Sequence, residues 1–116
     1  MINYDKMAKQ IDERLIVSKD DSFVYLLYPN PPKNGNLLFE EKEGFLVFWS
    51  NEYCEKNLNE IFNIVKNNTD LDIVYPYIET KEEFDILISL GLTPIDFHVD
   101  DDSSYCKEFG SLVLRR

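Results

Sequence analysis

The run Phe45-Leu46-Val47-Phe48-Trp49 constrains the fold more than any other part of the chain. Successive side chains of an extended strand point to opposite faces, so an unbroken run of large apolar residues puts bulk on both faces. Such a strand must be covered on both sides, which places it in the middle of a sheet. The short charged turn Glu41–Gly44 joins it to Asn36–Glu40, and two runs joined by a Gly-containing turn predict a hairpin.

The rest of the chain is arranged around that strand. Tyr4, Met7, Ala8, Ile11 and Leu15 recur at three- and four-residue spacing and predict an amphipathic helix over residues 3–15. Ser18 to Ser22 is polar and reads as a loop. Phe23–Tyr28 reads as a strand, ended by the proline cluster Pro29-Asn30-Pro31-Pro32. Ser50 is a candidate N-cap for a second helix that carries Cys54, Leu58, Ile61, Phe62 and Val65 on one face and closes at Asn67-Asn68. Ile73–Ile78 reads as a strand whose Pro76 suggests an edge or a bulge, leaving an open edge there and at the last strand. Thr80-Lys81-Glu82-Glu83 matches a capping box, opening a helix that buries Phe84, Leu87 and Ile88 and stops at Gly91. Ile95, Phe97 and Val99 alternate with polar residues as a half-buried strand, Asp100–Lys107 is a polar loop, and Phe109–Leu114 is a last strand.

That order predicts one domain over residues 1–116 of mixed α/β (α+β) class. Its sheet is mixed but mostly antiparallel, with about five to six strands and about three packed helices. An apolar fraction of 44% supplies the core despite the high charge. Neither the N-terminal Met1–Lys19 nor any later segment has the apolar run of a signal or a membrane span, so a cytoplasmic protein is expected. Cys54 and Cys106, without CxxC spacing, are then read as reduced thiols, although two cysteines can in principle pair.

Chemistry is sparse. The one histidine, His98, limits acid–base options, and Cys54 on an apolar helical stripe and Cys106 in an acidic loop lack an activating environment. If the strand persists beyond Val99, His98, Asp100 and Asp102 share one face and, with Asp101, offer hard-cation ligands. The run nevertheless lacks the glycine of a calcium loop and reads as a solvated acidic loop. Glu40-Glu41 and Glu82-Glu83 are sequence neighbours that do not face one another, so they make poor acid/base pairs. The glycines never cluster as a phosphate loop does. No catalytic residue, metal or cofactor is expected.

What stands out is charge. Twelve Lys and Arg against 22 Asp and Glu give a formal net charge of −10. Acidity serves solubility in many chains and partner choice in others, and composition alone leaves both open. It offers no basic stripe for nucleic acid. Candidate partner-binding residues are Asp100, Asp101, Asp102 and Tyr105, an aromatic anchor beside three carboxylates, with Glu82 and Glu83 on the helix start. Further acids lie at Asp20-Asp21 and Glu40-Glu41-Glu43.

A short, acidic, cytoplasmic chain of this architecture resembles the immunity proteins of bacterial toxin–immunity systems. That resemblance implies a non-catalytic protein that neutralises a basic toxin domain, with a nuclease effector as the expected target. The stretch Phe45–Val99, with Phe-Leu-Val-Phe-Trp-Ser leading into a helix and Thr-Lys-Glu-Glu-Phe opening the next, is also similar to the SseB-like group of small bacterial proteins. That similarity implies instead a housekeeping protein-binding module. A small enzyme or metal-binding protein using His98 and its neighbouring aspartates is a third reading.

Overall fold

The computed structural model describes residues 2–29, 37–50, 57–76, 78, 80–95 and 110–116. Helix α1 spans Tyr4–Ile11, and strands β1 and β2 span Ile16–Asp20 and Phe23–Leu27. Strands β3 (Leu37–Lys42) and β4 (Phe45–Ser50) precede helix α2 (Leu58–Asn67) and strand β5 (Asp72–Tyr75). Helix α3 (Lys81–Ser89) and the short strands β6 (Thr93–Pro94) and β7 (Leu112–Leu114) complete the described elements. The strands form one sheet in the order β1-β2-β3-β4-β5-β7-β6, antiparallel throughout except for the parallel pair β4–β5. The class is as expected, with seven strands rather than five to six.

β4 holds the fourth of those seven positions, and its Leu46, Val47 and Phe48 are fully buried. Its register divides the sheet into two faces. On one face Leu26, Phe39, Phe48 and Tyr75 pack with Met7 and Ile11 of α1, Ile61 and Phe62 of α2, and Leu87 of α3. Aromatic rings run through this core. Tyr4 lies 5.7 Å from Phe39, Phe39 stacks at 5.1 Å on its cross-strand partner Phe48, and Phe48 meets Tyr75 edge-on at 5.4 Å.

The helix boundaries follow from local hydrogen bonding. Asn3 caps α1 by accepting from the Lys6 N–H at 3.1 Å. The helix stops at Ile11, four residues short of expectation, because Asp12 turns extended and its carboxylate takes the Arg14 N–H at 3.0 Å. The same carboxylate accepts from the Arg14 guanidinium at 2.8 Å and from the Tyr28 hydroxyl at 2.8 Å, tying the end of α1 to β2. The N-cap of α2 is Asn57, which accepts from the Glu60 N–H at 2.9 Å. Ser50, expected in that role, instead ends β4; its N–H and C=O lie 3.3 and 3.2 Å from the Tyr75 hydroxyl. Thr80 caps α3 as expected, accepting from the Glu83 N–H at 3.1 Å, while the Glu83 carboxylate meets the Thr80 hydroxyl. At the other end Gly91, at φ +97°, closes a Schellman motif in which Leu92 N–H reaches Leu87 C=O at 3.1 Å.

Further expectations are corrected. Ile88, expected on the buried face of α3, is 41% exposed. Ser18–Ser22 is not a loop: Ile16–Asp20 pairs with β2 along its whole length, and the turn is only Asp21-Ser22, with Asp21 at φ +51°. An edge strand open to water needs no apolar alternation, so its polar residues hid it. Nor is β5 or the last strand an edge: β5 lies between β4 and β7, β7 lies between β5 and β6, and Pro76 follows the last residue of β5. Among the described strands the edges are β1 and the two-residue β6. The expected strand Ile95–Val99 is represented by β6 and by an Ile95 N–H bond to Ser111 C=O at 3.3 Å; residues 96–99 lie outside the described residues.

Candidate partner-binding surface

The second face of the sheet differs from the first. Alternation puts Ile16 of β1, Phe23, Tyr25 and Leu27 of β2, Leu38 of β3 and Val47 of β4 on the side away from the core just described. Burial is graded across it. Val47, Val74 and Val113 are fully buried at the centre and far side, whereas Phe23, Tyr25, Leu27 and Leu38 are only half-buried and Ile16 is 50% exposed. None of these residues belongs to the helix-side cluster, which contains the buried residues of all three helices. Phe23 and Tyr25 stand side by side with ring centroids 6.5 Å apart, and Tyr25 is flanked by its cross-strand neighbours Ser18 and Leu38.

The sequence puts carboxylates at one end of this patch because the turns there are acidic. The register row Asp20–Phe23–Glu40–Val47 sets the Asp21-Ser22 turn and the Glu43-Gly44 turn at the same end of the sheet. Asp20, Asp21 and Glu43 are exposed there. Glu40 is half-buried and held in place, accepting from Ser22 Oγ at 2.9 Å and lying 3.3 Å from Lys42 Nζ. Charge that is oriented but still open to water steers a partner more than it binds one.

The residues expected to bind a partner separate. Asp100, Asp101, Asp102 and Tyr105 lie outside the described residues, as do Cys54, His98 and Cys106. Glu82 is exposed on the first turn of α3. Glu83 is half-buried, and its carboxylate lies 3.2 Å from both the Tyr75 hydroxyl and Thr80 Oγ1, locking α3 to the sheet. Among the described residues no group of three His, Cys, Asp or Glu side chains is arranged to hold a metal ion. No described helix is long and apolar enough to cross a membrane.

Two groups are electrostatically unusual, and both are structural. Hydrogen bonds from Arg14, then burial opposed by the Tyr28 bond, leave the Asp12 carboxyl held well below the usual aspartate range. The Tyr4 hydroxyl is buried without a hydrogen bond of normal geometry, and burial, reinforced by the nearby Glu41 charge, pushes its pKa up.

The half-exposed face was the feature that the sequence reading missed. Its signal was present in β2, where Phe23-Val24-Tyr25-Leu26-Leu27 is apolar on both faces although the strand pairs with an edge strand. Comparison with known proteins returns no matching family model, curated protein or solved structure.

Proposed function

We propose that this is a non-catalytic cytoplasmic binding protein of the immunity type, which seats on the basic surface of a toxic effector domain and blocks it. The observation that supports this reading is an aromatic and aliphatic sheet face, half-open and bordered at one end by exposed Asp20, Asp21 and Glu43, on a chain of net charge −10. Half-open Phe and Tyr rings supply contact area at low entropic cost, and a carboxylate border favours a cationic partner over an acidic one. A nuclease domain, basic because it must hold nucleic acid, is the natural complement. Asp100, Asp101, Asp102, Tyr105 and Glu82 are proposed to extend the contact; Glu83 is held inside the fold.

The reading requires a toxin domain encoded beside this gene, and the test is a calorimetric titration against it. The reading predicts a one-to-one complex and, for Tyr25→Ala, affinity at least about tenfold weaker, as removal of an interface aromatic commonly costs 1–2 kcal/mol or more. No heat of binding at low micromolar concentration would sink it.

A further inference from the structure

The two edges of the sheet are finished differently. β6 is two residues long and ends in Pro94, so it offers little to pair with. β1 is five residues long, has no proline, and pairs with β2 in unbroken register from Ile16↔Leu27 to Asp20↔Phe23. The two-residue turn makes Asp20 and Phe23 the closing pair, whose backbone groups face each other. By alternation Ser18 and Ile16 also face β2, while the N–H and C=O of Val17 and Lys19 point away from the sheet. Neither Val17 nor Lys19 takes part in any backbone or side-chain hydrogen bond outside the sheet.

We infer that β1 is a strand-addition site, which takes an extended, cationic segment of a partner protein through the outward backbone groups of Val17 and Lys19. This deepens the proposed function, on which it rests for the partner's charge. Such pairing sets the added strand beside Ile16, which is 50% exposed on the open face, and beside Asp20 and Asp21 at the strand end. A lysine or arginine on the added strand meets the aspartates, and an apolar residue covers Ile16 and the rim of the Tyr25 patch. A second copy of this chain is the poorer occupant, because each copy brings a net charge of −10 and the contact would be confined to one short strand.

The experiment titrates the ¹⁵N-labelled full chain with an N-acetylated, amidated seven-residue peptide that carries, on one strand face, valine at one end and lysine four residues away to match Ile16 and Asp20, following amide shifts. Saturable shifts at Val17 and Lys19 are expected, at least fivefold weaker with Lys19→Pro. That variant removes only an outward N–H and a surface charge. The same peptide N-methylated on the amides of one edge gives a control that leaves the protein unaltered, and it too should bind at least fivefold more weakly. Shifts confined to the acidic turns, with affinity unchanged by Lys19→Pro or by methylation, overturn the site. Concentration-dependent shifts at Val17 and Lys19 without peptide overturn the choice of partner in favour of a second copy. Peptide pairing at β1 together with no complex against the neighbouring toxin domain supports the edge site and removes the toxin reading. A toxin complex that leaves the Val17 and Lys19 amides unprotected from hydrogen exchange does the reverse.

Discussion

Asp12 shows how one side chain sets a boundary that hydropathy does not reveal. Apolar spacing continues through Leu15, which is fully buried, yet the helix ends at Ile11 because the Asp12 carboxylate gathers the Arg14 N–H, the Arg14 guanidinium and the Tyr28 hydroxyl. The carboxylate is favoured in the folded state, so its contribution is fully present above the ordinary aspartate pKa of about 4 and is lost as pH falls below it. Asp12→Asn should therefore cost about 1 kcal/mol at neutral pH, modest because Arg14 is open to water. In urea titrations the gap from the wild type should close below about pH 4; a gap independent of pH would contradict this assignment. Tyr4 predicts the opposite kind of result. Its buried hydroxyl has no normal hydrogen bond, so Tyr4→Phe should be neutral or stabilising by up to about 1 kcal/mol in thermal melts. These two residues looked like ordinary members of a helical pattern, since the partners that distinguish them, Tyr28 and Glu41, are distant in sequence.

Elements with local chemistry were legible. The N-cap at Thr80 and the stop at Gly91 need only a few neighbouring residues, and both form as the sequence predicts. Gly91 also makes a sharp test of the C-terminal cap. A Cβ there would meet only Leu114 Cδ1 at 3.9 Å, an ordinary contact, so the cost of Gly91→Ala comes from its φ of +97°. A loss of about 1–2 kcal/mol is expected by chemical denaturation, and a neutral substitution would show that the helix ends without that geometry. Elements defined by distant pairing were not legible. β1 is a strand only because β2 lies beside it, and its Ser18, Lys19 and Asp20 carry no apolar alternation to announce it. Ser50 failed as a cap for the same reason: it is held at the end of β4 by Tyr75, which lies across the sheet on β5. The hairpin β3–β4 and the central place of β4 were recoverable, because a run apolar on both faces has few other positions open to it.

At the scale of the whole molecule, the sheet divides the labour. One face carries the three described helices and the stacked aromatic core, and the other is buried at its central valines and left half-open along β1, β2 and β3. Five of the 22 acidic residues, Asp20, Asp21, Glu40, Glu41 and Glu43, lie at the turn end that borders this open part. The sequence reading found the charge but not the face, since which side of β2 remains open depends on where the helices pack. The central claim joins the two: the acidic turn end attracts a basic effector domain, and the open face holds it. That claim requires a basic toxin domain encoded beside this gene, and the most direct measurement is the activity of such a domain, assayed against increasing amounts of this protein at two salt concentrations. The proposal predicts complete inhibition near one equivalent, with onset slowed severalfold when salt rises from about 50 mM to about 500 mM, as steering by exposed charge is screened. Full toxin activity in the presence of a several-fold excess of this protein would contradict it.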